Sequence, residues 1–179
     1  MSSDTMQVAQ VPSPGAEFEL VEREIPVPGP DEVRVSVEAC GVCHSDTFVR
    51  EGSWSGIEYP RVPGHEVAGR IDAVGDAVEE WSAGERVGVG WHGSHCFTCA
   101  PCRSGEFIDC TNEQVTGIDT DGGYAEYVIA SQHALARVPD DLDSIDAAPL
   151  LCAGVSTFNV LRKSNARIGD VAAVVGIGG

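Results

Sequence analysis

The stretch Cys96-Phe-Thr-Cys99-Ala-Pro-Cys102-Arg-Ser-Gly-Glu-Phe-Ile-Asp-Cys110 places four cysteines in fifteen residues, with gaps of two, two and seven. Gaps this short let thiolate sulfurs converge on one ion at about 2.3 Å, and four thiolates suit zinc or an iron centre. A set of four also fills the coordination sphere, so the reading is structural: a metal that orders a polar, Gly- and Pro-containing lobe with little core of its own. Buried cysteines that bind nothing are the competing reading.

Three further cysteines, Cys40, Cys43 and Cys152, lie far from this cluster, and the total of seven cannot pair completely. The first ten residues, MSSDTMQVAQ, carry no basic cluster and no apolar run, the opposite of a secretory leader. No stretch approaches the roughly 20 apolar residues that span a bilayer. The expected compartment is therefore the reducing cytoplasm, where clustered cysteines are more often metal ligands than disulfides.

The 179 residues carry 11 Lys and Arg against 28 Asp and Glu, a formal charge of -17. Such a chain repels a nucleic-acid backbone and an anionic membrane surface, so neither is expected as a partner. The acidity is dispersed and reads as a solvated surface, suited to high salt or to an ordinary cytoplasm.

Around the cluster the pattern is mainly β. Residues 1–15 read as a loose segment. Beyond them Phe18 and Leu20, then Val33, Val35 and Val37, alternate with polar neighbours, and VPGPD at 27–31 marks a turn. Further strands are expected at 66–74, 85–89 and 123–129, each bounded by Gly, Pro or Asp, the arrangement of a small barrel or sandwich. From Asp143 to Lys163 the apolar residues recur at helical spacing, with Pro149 and Gly154 expected to split the segment. VAAVVGIGG at 171–179 reads as an apolar strand delivering into glycines, the opening of a dinucleotide fold.

Other chemistry-bearing residues are Cys43 in CGVCHSD and His65 in PGHE, each with polar neighbours, and Cys152 in APLLCAGVST. Taken alone, Cys152 reads as a core cysteine, and the CGVC pair, Cys40 and Cys43, also fits a reactive dithiol. A Cys, a His and a second Cys would make an open, three-ligand site with a fourth position for water or substrate. Spacing alone leaves that site undecided.

Read together and in order, CGVCHSD (40–46), GHEVAG (64–69), GERVGV (84–89), the four-cysteine lobe, GGYAEYV (122–128) and PLLCAGVSTF (149–158) resemble the medium-chain zinc-dependent alcohol dehydrogenases. The resemblance runs from about residue 18 onward. It implies a mainly β fold, a GroES-like partly open barrel over residues 16–165. A zinc lobe at about 92–113 and a C-terminal helix would lead into the first strand of a Rossmann-type domain at 166–179.

The resemblance assigns a catalytic zinc to Cys43, His65 and Cys152 and a structural zinc to Cys96, Cys99, Cys102 and Cys110, two ions per chain. It implies alcohol and aldehyde or ketone interconversion with NAD or NADP. Ser45 would accept the substrate proton, Asp46 would hold His65, and Glu66 would approach the ion during ligand exchange. His44 would face the cofactor pyrophosphate, with Gly176, Gly178 and Gly179 in its glycine turn. Trp54 and Trp91 would line a pocket for small alcohols or flat aldehydes.

Phe48 departs from the family pattern, because many members place a proton-relaying histidine there and phenylalanine carries no proton. The third fingerprint glycine, the pyrophosphate helix and the ribose selector are not among the 179 residues, so the expectation is a fragment without appreciable turnover by itself. A non-catalytic zinc-binding fragment is the alternative. The full-length enzyme could assemble as a homo-oligomer.

Overall fold

The computed structural model describes residues 4–165, 167–171 and 173. The expected apolar strand at 171–179 and the glycines Gly176, Gly178 and Gly179 fall largely or wholly outside them.

Among the described residues, nine strands and four α-helices follow in chain order: β1 (Thr5–Gln10), β2 (Glu19–Glu24), β3 (Glu32–Cys40), α1 (Asp46–Glu51), β4 (Val67–Val74), β5 (Arg86–Val89), β6 (His92–Ser94), α2 (Ala100–Arg103), β7 (Gln114–Val115), β8 (Tyr127–Ser131), β9 (Leu135–Arg137), α3 (Ser144–Ala147) and α4 (Ala153–Lys163). Five strands make one sheet in the order β8-β3-β4-β5-β9, every neighbour antiparallel. The sheet curls into a partly open barrel, the mainly β architecture expected from the sequence.

The alternation in β3 sends Val33 and Val35 inward to meet Val67, Ile71, Val87, Val89, Val128 and Ala130. Two register shifts interrupt the β3–β4 pairing, between Arg34 and Val35 and between Val37 and Ala39. Such irregularities bend a strand and increase its twist, which is how a sheet curls.

Four expectations need correction. Residues 1–15 are not loose throughout, since Thr5–Gln10 pairs with β2 from Thr5↔Glu24 to Gln10↔Glu19. Val8 is 1% exposed and bridges to Ala125, so burial against a distant segment, invisible locally, orders this strand. In β2 it is Leu20 that faces solvent, at 77% exposure, while Val21 packs inward.

The last strand of the expected set begins at Tyr127 and not at Gly123, because the glycine pair does other work. Gly122 N–H donates to Val62 O (2.7 Å) and Gly123 N–H to Gly64 O (2.8 Å). A Cβ on Gly122 would lie 2.2 Å from Gly64 O, so only glycine lets these backbones meet.

The helical segment splits as expected near Pro149, into α3, a 3₁₀ turn at Ala148–Leu151, and α4. The second break is at Cys152 (φ -129°, ψ -76°), and Gly154 lies inside α4. The two parts meet at 49°, and among the described residues no single helix is long and apolar enough to cross a membrane.

Candidate functional site

Three separate pieces of the fold converge. The turn after β3 carries Cys43, and α1 begins immediately after it, with Ser45 at its N-cap and Asp46 in its first turn. His65 and Glu66 directly precede β4, while Cys152 sits at the break before α4. Gly88 permits that last approach, because a Cβ there would lie 2.6 Å from the Leu151 methyl groups.

The Sγ atoms of Cys43 and Cys152 are 3.8 Å apart. That is about the edge of a tetrahedron with 2.3 Å metal–sulfur bonds. One ligand atom from each of Cys43, His65, Glu66 and Cys152 lies within 4.8 Å of all the others. The donor set, two thiols, an imidazole and a neighbouring carboxylate, is the chemistry of a zinc-type ion.

Behind this set, His65 is only 2% exposed and its Nδ1 faces Asp46 Oδ1 at 3.3 Å. With Nδ1–H directed at a carboxylate, Nε2 is the nitrogen left with a free lone pair. Ser45 Oγ lies 3.1 Å from Cys43 Sγ and 3.3 Å from His65 Nε2, inside the same cluster.

Titration properties follow from burial and these contacts. Burial opposes charge on Asp46, but hydrogen bonds from His65 and Tyr124 outweigh it and hold the carboxyl below its usual range. Burial disfavours the imidazolium of His65, yet Asp46 raises its pKa overall. Burial pushes Glu66 up. It also drives the Cys152 thiol to about 12, assisted by Cys43. Cys43 goes the other way: burial would raise it, but hydrogen bonds led by Ser45 lower it.

Three aromatic rings lead from this cluster. His65 meets Trp91 edge-on with centroids 4.9 Å apart, Trp91 meets Trp54 at 5.8 Å, and Trp54 meets Phe48 at 5.9 Å. A cleft of about 680 Å³ opens beside Trp91 and Cys152, with Leu150, Ile108, Val155 and Ser156 also in its walls. Its size and mostly apolar lining suit a small organic molecule. His44 is exposed on the turn after Cys43.

In the lobe, the sulfurs of Cys96, Cys99, Cys102 and Cys110 also lie within 4.8 Å of one another. Cys110 Sγ is 3.6 Å from Cys96 Sγ and 3.8 Å from Cys99 Sγ, and all four cysteines are free thiols. Backbone N–H groups of Cys99 and Asn112 point at Cys96 and Cys110 sulfurs, at 3.4 and 3.3 Å. A hydrogen bond with Thr98, reinforced by Asn112, brings the Cys96 thiol down to about 5.

The structure thus gathers every expected metal ligand into one of two groups, with Ser45, Asp46, Glu66 and both tryptophans around the open one. Sequence reasoning did not single out Tyr124 or Ile108. Tyr124 was visible only as the residue after the Gly122–Gly123 pair, and Ile108 only as an apolar residue inside the lobe.

Comparisons with known proteins converge on one family. Residues 29–140 match the alcohol dehydrogenase GroES-like domain. The chain is 49% identical over 164 residues to the alcohol dehydrogenase patD of Aspergillus clavatus, covering 92% of this chain and 42% of that protein. It superposes with TM-score 0.82 on a cobalt- and zinc-bound thermostable alcohol dehydrogenase from Pyrobaculum aerophilum, at 31% identity over 90% of this chain and 49% of that one. The Helicobacter pylori CAD complexed with NADP(H) gives TM-score 0.81 and 30% identity, over 89% and 49% of the two chains. The chain therefore spans about half the length of the relatives it matches.

Proposed function

Because this chain belongs to the alcohol dehydrogenase family, carrying its GroES-like domain, we propose that it is the catalytic part of a zinc-dependent alcohol dehydrogenase interconverting small alcohols with aldehydes or ketones. The hydride acceptor is NAD or NADP. The observation that carries this reading is the convergence of Cys43, His65 and Cys152, backed by Asp46, with Cys152 also lining the cleft beside Trp91.

A zinc ion in that set supplies Lewis acidity toward a substrate oxygen. The chain's own residues supply the rest. Ser45 Oγ, within 3.3 Å of both Cys43 Sγ and His65 Nε2, is placed to take the hydroxyl proton. Asp46 fixes the ring and tautomer of His65. Glu66 is the buried carboxyl that can approach as ligands exchange. Trp91 lines the cleft as a flat apolar wall that orients the substrate, Trp54 packs edge-on against Trp91 and shields it from water, and His44 offers a basic group for the cofactor pyrophosphate.

The lobe would hold a second, structural zinc through Cys96, Cys99, Cys102 and Cys110, whose sulfurs lie within 4.8 Å of one another, and the chain would then carry two ions. A reducing cytoplasm, which keeps the thiols unpaired, completes the proposal.

Metal analysis tests the reading. Two zinc ions per chain are expected, falling to one in Cys43→Ala with the lobe's ion retained. A single ion in both proteins would leave the lobe as the metal site and favour a non-catalytic zinc-binding role.

A further inference from the structure

We infer that Tyr124 is a positioning residue for the Cys43–His65–Cys152 site, acting through Asp46 on His65. The inference rests on the proposed metal reading of that site and adds a residue to it.

Asp46 receives four donors. Cys43 N–H (2.8 Å) and the Tyr124 hydroxyl (2.7 Å) reach Oδ2, whereas His65 Nδ1 and Gly64 N–H stand at 3.3 Å from Oδ1. The two short bonds are both on Oδ2, so they set the plane of the carboxylate, and Oδ1 meets His65 where that plane puts it. A carboxylate–histidine pair behind a metal typically contributes 10–100-fold in metal affinity, and an aimed carboxylate is a condition of that effect.

The backbone around Tyr124 is built for this reach. Its N–H donates to Pro63 O at 3.0 Å, and Gly123 N–H donates to Gly64 O at 2.8 Å, which ties the segment to the loop carrying His65. Gly64 has φ +100°, and a Cβ on it would lie 2.6 Å from the Tyr124 ring. The ring therefore closes on that loop only because residue 64 is glycine, and the closure carries the hydroxyl to Asp46. In that bond the phenol hydroxyl donates and the Asp46 carboxylate accepts.

The test uses Tyr124→Phe, which keeps the ring against Gly64 and deletes only the hydroxyl. The metal-free protein is titrated with zinc against a chelator, and with cobalt(II), whose visible spectrum reports the geometry of each thiolate site. About tenfold weaker binding at the Cys43–His65–Cys152 site is expected, with a shifted cobalt band there and unchanged binding at the lobe. In an Asp46→Asn background the same change should cost nothing further, because the route through Asp46 is already cut. Unchanged affinity and cobalt spectrum in Tyr124→Phe overturn the inference, as does an equal additional loss in the Asp46→Asn background. If the parent protein binds one ion only, in the lobe, the metal reading itself fails, and the inference with it.

Discussion

The ring of Phe48 lies against Trp54, with 28° between their planes, at the outer end of the aromatic row that starts from His65. Residue 48 thus forms part of an apolar wall and offers no ionisable group to pass a proton from Ser45. Introducing histidine should add one. In an active full-length enzyme, Phe48→His is expected to give the kcat–pH profile a new inflection near the ordinary histidine value of about 6.5, with turnover rising as pH increases through it. An identical profile in the variant and its parent would exclude residue 48 from the proton path.

The lobe should depend on its sulfurs more than on its packing. Among the described residues at 92–113, only Cys102 and Cys110 are buried, while Phe97, Phe107 and Ile108 stand exposed. Replacing one ligand, as in Cys96→Ser, or stripping the metal with a chelator, is expected to abolish hydrogen-exchange protection across 92–113 while amides of β3, β4 and β5 keep theirs. Retained protection across the lobe would mean that its order comes from elsewhere.

Gly122 is a position where one methyl group should disturb the site from a distance. The added carbon would meet Gly64 O at 2.2 Å and Pro63 O at 2.7 Å, both backbone atoms that cannot swing aside. Gly122→Ala is expected to destabilise the protein by about 1–3 kcal/mol through forced backbone movement. It should also weaken metal binding at His65, since the displaced loop is the one that carries it. Denaturant unfolding and zinc titration of the same variant check both effects.

Removing β1 should be costly despite its place at the start of the chain. Val8 and Val11 are completely buried; β1 brings Val8 onto Ala125, and Val11, just past its end, bridges to Arg61. Each buried valine is worth roughly 1.5–3 kcal/mol. A protein lacking residues 1–11 is expected to unfold at clearly lower denaturant concentration, and an unchanged midpoint would show that this strand stabilises nothing.

The sequence spoke most plainly where ligands are neighbours. Gaps of two, two and seven residues bring Cys96, Cys99, Cys102 and Cys110 within reach of one ion whatever the rest of the chain does. Cys43 and Cys152 are 109 positions apart, and no spacing rule joins them. Only the ordered set of family motifs did so, while Cys152 alone looked like a core residue.

Strand existence was equally readable in β3, where valines alternate cleanly. It was unreadable in Thr5–Gln10, whose ordering comes from β2 and Ala125, segments that local pattern cannot supply. Gly154 was expected to interrupt the last helix and instead lies inside it, packed against Leu150, because a single glycine weakens a helix without ending one. Tyr124 escaped notice because its hydrogen bond to Asp46 spans 78 positions.

The break at Cys152 has one more effect. Cys43 and His65 belong to the barrel, whereas Cys152 opens α4, which leaves at an angle from the turn before it. A single ion held by all three would rivet that helix to the barrel wall. By reciprocity, any force that swivels α4 must loosen the ion, and an ion seated firmly must resist the swivel by the same free energy. The occupancy of the centre and the pose of the helix are then one quantity, measurable from either end.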